Sequence, residues 1–272
     1  MSFTKMLAVL ISLAAAATPW SAVAEETGLV TLKTADASRD WQAVGKLMLG
    51  TRGFCTGTLI EPRLVLTAAH CLFDRETGAR LDVGEIQFLA GWRLGRAAAY
   101  RGVRRALPHP DYVYGGGDLV ARVGVDIALL ELDQSIRNTA IPPFDTDLSP
   151  APGDRIGVVS YAQDRAEAPS LQETCDVLAV RPDVLVLSCS VDFGASGAPV
   201  FSVRDGVTRV ISVVSAKAEI EGRKVSLAVP MQKPLAELRA AFDAGQGQIG
   251  KPLSGVRMLS SGGDGRPRFP KP

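Results

Sequence analysis

The chain has 272 residues, of which 46% are hydrophobic and 22% are charged, and its formal net charge is +1. Because the charge is close to zero, the composition offers neither a basic surface for nucleic acid nor an acidic surface for cationic partners. We therefore expect no nucleic-acid partner, and attraction of a substrate has to come from a local site.

Residues 1–24 have the three parts of a secretory signal peptide. Lys5 supplies the positive start, residues 6–17 are apolar, and the small residues Ala22 and Ala24 form a cleavage motif. The apolar run is shorter than a membrane-spanning helix, which needs about 20 residues, and nothing later in the chain is long and apolar enough. We expect an exported chain, cleaved near Ala24 and without stable membrane insertion, in the periplasm or outside the cell.

Residues 25–40 are polar and lack a clear period, which predicts an N-terminal arm. From Trp41 onward, short apolar runs rich in β-forming residues alternate with turn residues, a spacing typical of barrels and sandwiches. In the first half these predicted strands are 44–49, 57–60, 64–67, 86–90 and 127–132.

The predicted strand 64–67 leads directly to a histidine. His70 is followed by Cys71, and Cys55 lies 16 positions before Cys71. An imidazole has a pKa near neutrality, so it can take a proton from a nucleophile and then release it. A histidine held beside cysteines at the end of a strand therefore suggests a nucleophilic hydrolase.

Asp126 directly precedes the apolar predicted strand 127–132. A carboxylate in this place loses hydration and needs a partner, and a buried carboxylate can hold an imidazole in one tautomer. Asp111, Asp118 and Asp133 are alternatives in loop or surface contexts, and an ordinary surface charge is the simpler interpretation of Asp126.

The second half of the chain is again rich in predicted strands. Residues 142–153 are dense in proline and turn residues, which predicts a connection between a first lobe, about 41–145, and a second lobe, about 146–230. A helix at about 231–244 begins near Pro234 and ends before Gly245. Residues 246–272 are rich in Gly, Pro, Ser and basic residues, which predicts a disordered tail. The predicted strands are 156–161, 184–188, 199–203, 207–214 and 225–229.

Four cysteines, Cys55, Cys71, Cys175 and Cys189, form two short-range pairs in a chain expected to be exported. Three connectivities are possible, and we expect Cys55–Cys71 and Cys175–Cys189. Each would close a loop of about 15 residues and contribute about 3 kcal/mol. Zinc is the alternative, but Cys-x2-Cys spacing is absent and no histidine lies near the second pair. We expect no metal and no cofactor.

Ser196 is bracketed by Gly194 and Gly197. A serine between glycines can occupy a tight turn with its hydroxyl exposed, while neighbouring N–H groups converge into a pocket for an anion. An ordinary Gly/Ser turn is the simpler alternative for so short a pattern. The presence of His70 and Asp126 in the same chain makes Ser196 a candidate nucleophile.

These three stretches, TAAHC at 67–71, DIALL at 126–130 and GASGAP at 194–199, resemble in that order the signatures of the trypsin-like (chymotrypsin-fold) serine proteases. The closer likeness is to the bacterial exported branch that includes glutamyl endopeptidase-like enzymes, and it spans about 41–245. The resemblance implies an all-β fold of two antiparallel six-stranded β barrels with a C-terminal helix. The active site would lie in the cleft between the barrels.

The resemblance also implies hydrolysis of a polypeptide substrate through an acyl-enzyme, and we expect a monomeric serine endopeptidase. Transferred by position, His70 is the general base and acid, Asp126 orients it and Ser196 attacks. The N–H groups of Gly194 and Ser196 form the oxyanion hole.

Ala195 is a departure from many members of this family. They have an acidic residue at this position, which pairs with a new N-terminus after zymogen cleavage. Alanine cannot form that ion pair, so we do not expect activation by insertion of an N-terminus.

The resemblance places Ser190, Ser215 and Lys217 at the substrate pocket. Relatives that cut after Lys or Arg have Asp at the position of Ser190, so a basic preference is not favoured. Glutamyl-specific relatives use an additional pocket histidine, and this chain has only His70 and His109, so that preference is not favoured either. Lys217 either attracts an acidic side chain or is simply solvated.

Three further interpretations concern the remaining features. His109 is flanked by prolines, which predicts a surface-loop residue. An α/β-hydrolase is excluded, because Ala198 replaces the last glycine of the G-x-S-x-G motif and no histidine follows Ser196. An inactive protease-fold binding protein is the alternative to an enzyme.

Overall fold

The computed structural model describes residues 28–146 and 150–250. The expected signal peptide and residues 251–272 of the expected tail lie outside this range. Within it, no helix is long and apolar enough to cross a membrane. The strands are β1 Val30–Thr31, β2 Val44–Leu49, β3 Phe54–Glu61, β4 Leu64–Thr67, β5 Ile86–Ala90, β6 Ala99–Pro108, β7 Ala128–Leu132, β8 Arg155–Ser160, β9 Ser170–Arg181, β10 Val184–Leu187, β11 Pro199–Arg204, β12 Val207–Ile220, β13 Arg223–Ala228 and β14 Gln248–Ile249.

Helices are few in the described chain. The α-helices are α1 Leu119–Gly124 and α2 Gln232–Asp243. The sequence predicted α2 to within a residue at each end but did not predict α1. Asp118, one of the alternatives to Asp126, caps α1 by accepting hydrogen bonds from the N–H groups of Val120 and Ala121. The 3₁₀ helices are Arg39–Trp41, Ala69–Leu72, Val83–Glu85 and Gln163–Arg165.

Strands β2 to β7 form one closed antiparallel barrel. The order around it is β6-β5-β2-β3-β4-β7, and pairing of β7 with β6 closes it. Its strands are strongly apolar on the inside, because residues such as Leu47, Leu59 and Leu129 are fully buried. Strand β14 adds to the outside of β6 by pairing Gln248 with Ala106, so the described start of the predicted disordered tail contains a short strand.

Strands β8 to β13 form a second closed barrel. The order is β9-β10-β13-β12-β11-β8, and β8 pairs back with β9. Strand β1, from the predicted N-terminal arm, pairs with β9 through Val30 and Leu171. The prediction of two six-stranded antiparallel barrels and a C-terminal helix is therefore confirmed.

The two barrels pack against each other through an apolar seam. The ring of Trp41 lies 5.0 Å from that of Phe201, and Phe144 lies 4.7 Å from Phe201. Helix α2 then returns to the first barrel, where Leu238 and Phe242 are buried. These contacts join the two barrels and the helix through one apolar core.

Candidate active site

His70 and Asp126 meet at the edge of the first barrel. His70 lies in the 3₁₀ helix that follows β4, and Asp126 lies between α1 and β7. One carboxylate oxygen, Oδ2, is 2.7 Å from Nδ1 of His70, and the other, Oδ1, accepts the backbone N–H of His70 at 2.8 Å. Two contacts to one carboxylate fix the orientation of the ring.

Asp126 is only 3% exposed, and three hydrogen bonds compensate its lost hydration. The third comes from Ser215, whose hydroxyl donates to Oδ2 at 2.5 Å. Burial by itself raises the pKa of Asp126, but the facing imidazole and the hydrogen bonds from His70 and Ser215 outweigh it and hold the pKa below the usual range. The carboxylate is therefore charged at neutral pH.

Ser196 lies on a tight turn between β10 and β11. Gly194 and Gly197 have φ angles of +97° and +78°, which favour glycine. A Cβ at Gly194 would lie 2.4 Å from the ring of Phe54, so this position has no room for a side chain. Within the described chain, the N–H groups of Gly194 and Ser196 donate to no backbone carbonyl, and both remain available to a ligand.

His70, Asp126 and Ser196 line one cavity of about 490 Å³. This volume is within the usual range for a ligand site. Among the described residues, no hydrogen bond joins the Ser196 hydroxyl to the imidazole of His70. The other lining residues come from both barrels: Arg75, Tyr112, Tyr114, Gly115, Leu119, Arg122, Val123, Val191, Asp192, Phe193, Val214, Ser215, Ala216 and Lys217.

The three residues expected at the substrate pocket occupy different places. Ser215 lines the cavity that contains His70 and Ser196, but its hydroxyl is bound to Asp126. Ser190 lines an adjoining cavity of about 500 Å³, and Lys217 lines both cavities. The resemblance assigned all three residues to the substrate pocket. The sequence did not indicate that Ser215 contacts a carboxylate 89 residues away.

Lys217 is neither free nor merely solvated. Its Nζ donates to Asp192 at 2.8 Å and lies 4.2 Å from the centre of the Phe193 ring. The hydrogen bond from Lys217 is the main reason that the pKa of Asp192 is lowered. The guanidinium of Arg75, from the first barrel, lies 5.8 Å from the centre of the same ring, so cations from both barrels lie near Phe193.

The interpretation of His109 as a surface residue is wrong. His109 is 2% exposed, its Nδ1 accepts the N–H of Asp111 at 3.2 Å, and its Nε2 lies 3.4 Å from Glu237 of α2. The flanking prolines end β6 and turn the ring inward beneath the helix. Proline flanks indicate a turn, but they do not show which side of it is covered.

The structure contains the disulfides Cys55–Cys71 and Cys175–Cys189. In the described chain Cys55, His70 and Cys71 are close enough to form a metal-ligand group. Because the two sulfur atoms are bonded to each other, they cannot serve as thiolate ligands. This disulfide instead ties β3 to the histidine.

Comparisons with known proteins show the family and the fold of the chain. The family model described as trypsin-like peptidase domain matches residues 55–210. Glutamyl endopeptidase of Bacillus licheniformis is 25% identical over 150 residues, which cover 55% of this chain and 45% of that protein. Serine protease 23 of Homo sapiens is 29% identical over 167 residues, covering 54% and 42%. Trypsin 5G1 of Aedes aegypti is 32% identical over 88 residues, covering 32% and 29%.

The chain spans less than half the length of these curated relatives. A solved structure titled "Structure of Glu endopeptidase in complex with MPD" superposes with a TM-score of 0.65 at 17% identity, covering 79% of this chain and 96% of that one. At this identity the likeness supports the fold. With the family model matching residues 55–210, the chain belongs to the trypsin-like peptidase domain family.

Proposed function

We propose that this protein is an exported serine endopeptidase that hydrolyses peptide bonds through a Ser196–His70–Asp126 triad and an acyl-enzyme. The observation that carries the proposal is the buried, charged Asp126 bound to Nδ1 of His70 at 2.7 Å, in the same cavity as Ser196. A charged carboxylate at Nδ1 keeps the proton on that nitrogen, which leaves Nε2 as a base for the serine hydroxyl.

In the proposed reaction, Ser196 Oγ attacks the carbonyl carbon of the substrate while its proton passes to Nε2 of His70. The oxygen of the tetrahedral intermediate accepts hydrogen bonds from the N–H groups of Gly194 and Ser196. His70 then protonates the leaving amine, and the acyl group stays on Ser196. Water, deprotonated by His70, releases the second product and restores the serine.

The substrate is a polypeptide, and the adjoining cavity beside Ser190 is the proposed primary pocket. Ser190 supplies no carboxylate, so selection of Lys or Arg is not favoured. Lys217 lines both cavities, and an acidic substrate side chain would compete with Asp192 for its ammonium group. Lys217 is therefore proposed to favour substrates that have acidic side chains near the scissile bond.

Export rests on the sequence of residues 1–24 and on the two disulfides, because disulfides persist in oxidising compartments. We propose that the chain acts in the periplasm or outside the cell after cleavage near Ala24. A single copy carries all the proposed catalytic residues, so the proposed active form is a monomer.

A fluorophosphonate serine probe and a mixed peptide library test the proposal on the exported protein. The wild-type protein should label and hydrolyse peptides, whereas Ser196→Ala and His70→Ala should lower turnover by orders of magnitude and keep the fold. Ser202→Ala is the matched control, because this buried hydroxyl has no hydrogen-bond partner in the described chain and lies outside the cavity. Folded wild-type protein that neither labels nor cleaves would instead favour the inactive binding protein.

A further inference from the structure

The turn that carries Ser196 has no acidic residue beside the serine to anchor it, because that position is Ala195. The carbonyl groups of Gly194 and Ser196 are both held by one residue of the opposite barrel, Thr56 of β3. We propose that Thr56 is a positioning residue that holds the oxyanion amides and the nucleophile in their reactive geometry. This inference rests on the proposed function.

Thr56 is fully buried and contacts the second barrel through both its hydroxyl and its backbone N–H. Its Oγ1 donates to the carbonyl of Gly194 at 2.8 Å, with a longer contact of 3.4 Å to the carbonyl of Tyr161. The same oxygen accepts the N–H of Tyr161 at 3.1 Å, and the backbone N–H of Thr56 donates to the carbonyl of Ser196 at 2.8 Å. The hydroxyl is thus used as donor and as acceptor at once, which fixes its rotamer.

These contacts fix the turn on both sides of Ala195. When the carbonyls of Gly194 and Ser196 are both held, the Ser196 N–H between them has little freedom to rotate. The direction of that N–H decides whether it can reach the oxygen of a tetrahedral intermediate. Thr56 therefore acts on the reaction through the backbone and does not touch the substrate.

Thr56 and Thr67 pack closely against the turn that carries Ser196. Thr67 of β4 donates from Oγ1 to the carbonyl of Thr56 at 2.8 Å. A Cβ at Gly197 would lie 2.1 Å from Thr67 Oγ1 and 2.3 Å from the Thr56 carbonyl. Residues 194–197, which carry Ser196 and are called the nucleophile turn below, therefore pack directly on two threonines of the first barrel.

Valine has the shape of threonine without the hydroxyl, so Thr56→Val removes the bonds of Oγ1 and keeps both the packing and the backbone bond to the carbonyl of Ser196. It leaves the Gly194 carbonyl and the Tyr161 N–H without this partner in a buried place. When the turn is released in this way, the enzyme stabilises the transition state less, while its binding of the substrate in the ground state changes little. The change should appear in kcat and leave KM nearly unaltered.

The matched control lies two residues further along the same strand. Thr58 is also buried, and its hydroxyl has no hydrogen-bond partner in the described chain. Thr58→Val therefore removes a buried hydroxyl from β3 without removing a bond to the nucleophile turn. Thr56→Ser is the rescue variant, because it keeps the donor and acceptor oxygen.

The experiment measures kcat and KM on one peptide, and the dissociation constant of a peptidyl boronic acid, for wild type and the three variants. We expect Thr56→Val to lower kcat by about 10- to 100-fold, with KM changed less than about threefold, and to weaken the boronate in parallel. Thr56→Ser and Thr58→Val should stay within about threefold of wild type on both measures. Circular dichroism and thermal melting report whether each variant folds.

Thr56→Val that matches Thr58→Val, or Thr56→Ser that loses as much as Thr56→Val, would overturn the inference. If Thr56→Val does not fold, Thr56→Ser is compared with Thr56→Ala, which differs from it by one oxygen. A lower kcat in Thr56→Ala than in Thr56→Ser would support the inference, and equal kcat values would overturn it. Wild-type protein without activity would refute the proposed function, whereas active wild type with an unaffected Thr56→Val refutes the role of Thr56 alone.

Discussion

The hydrogen bond from Ser215 to Asp126 can be tested by stability at two pH values. Ser215→Ala removes one hydrogen bond of 2.5 Å to a buried carboxylate, while both contacts from His70 remain. A hydrogen bond to a charged group contributes about 1.5–3 kcal/mol. We therefore expect the free energy of unfolding at about pH 7 to fall by that amount, and the melting temperature to fall by about 3–12 °C.

The loss should depend on pH in a defined direction. The pKa of Asp126 is lowered in the folded protein, so its ionised form contributes stability that is fully present above the unfolded pKa of about 3.9. This contribution disappears as the pH falls through the folded pKa. The difference between wild type and Ser215→Ala should consequently shrink when urea unfolding is repeated below about pH 4.

Ser212→Ala is the matched control for this measurement. Ser212 lies on the same strand, is fully buried, and donates at 2.5 Å to the carbonyl of Val229, which is neutral. Its removal should cost about 0.5–1.5 kcal/mol at every pH. Equal losses in the two variants at both pH values would refute the reasoning that the charge of Asp126 strengthens the bond.

Three further changes test other parts of the molecule. Asp126→Asn should lower kcat by about 10⁴-fold with little change in KM, since an amide stabilises the wrong imidazole tautomer; steady-state kinetics decide, and a loss confined to KM would contradict it. Lys217→Glu should raise KM about tenfold for peptides with acidic residues beside the scissile bond, and an equal change for matched neutral peptides would oppose this. Leu238→Ala, fully buried in α2, should lower the unfolding free energy by about 2–5 kcal/mol in urea, and a loss below about 1 kcal/mol would mean that α2 does not clamp the first barrel.

The sequence predicted the strands whose residues are mostly apolar and missed those that are half exposed. Strand β6 contains Arg101, Arg104 and Arg105, and in β9 buried residues are interspersed with partly or fully exposed ones. One face of each of these strands meets water, so the apolar runs that mark a buried strand are absent. Helix α1 was missed because it has only six residues, too few to show a helical period of apolar side chains.

The sequence predicted the residues of the candidate site that belong to local motifs and missed the contacts between residues that are far apart in the chain. The neighbourhoods of His70, Asp126 and Ser196 each carry a local motif, and the structure brings the three into one cavity; their catalytic roles stay predictions. The contacts of Ser215 to Asp126 and of Thr56 to Gly194 join residues 89 and 138 positions apart. No local sequence pattern predicts these contacts, because they form only when the two barrels pack against each other.

The two disulfides offer a comparison that separates stability from catalysis. They close loops of 16 and 14 residues, so on the chain-entropy estimate each contributes about 3 kcal/mol. Cys55 directly precedes Thr56 and Cys71 directly follows His70, whereas Cys175–Cys189 lies within the second barrel, on β9 and after β10. Replacing either pair by serine should therefore lower the free energy of unfolding by a similar amount.

Only the first replacement should lower kcat strongly, because Cys189 lines the proposed substrate pocket beside Ser190, so the second replacement should act mainly on KM. Loss of Cys55–Cys71 loosens the strand that holds the nucleophile turn and the segment that holds the imidazole, and a displacement of about 1 Å can cost about 100-fold in rate. We expect kcat to fall at least tenfold more in that double variant than in the other, with both measured well below their melting temperatures. Equal kcat values in two equally destabilised variants would mean that the disulfide beside His70 stabilises the fold and leaves the geometry of the site to other contacts.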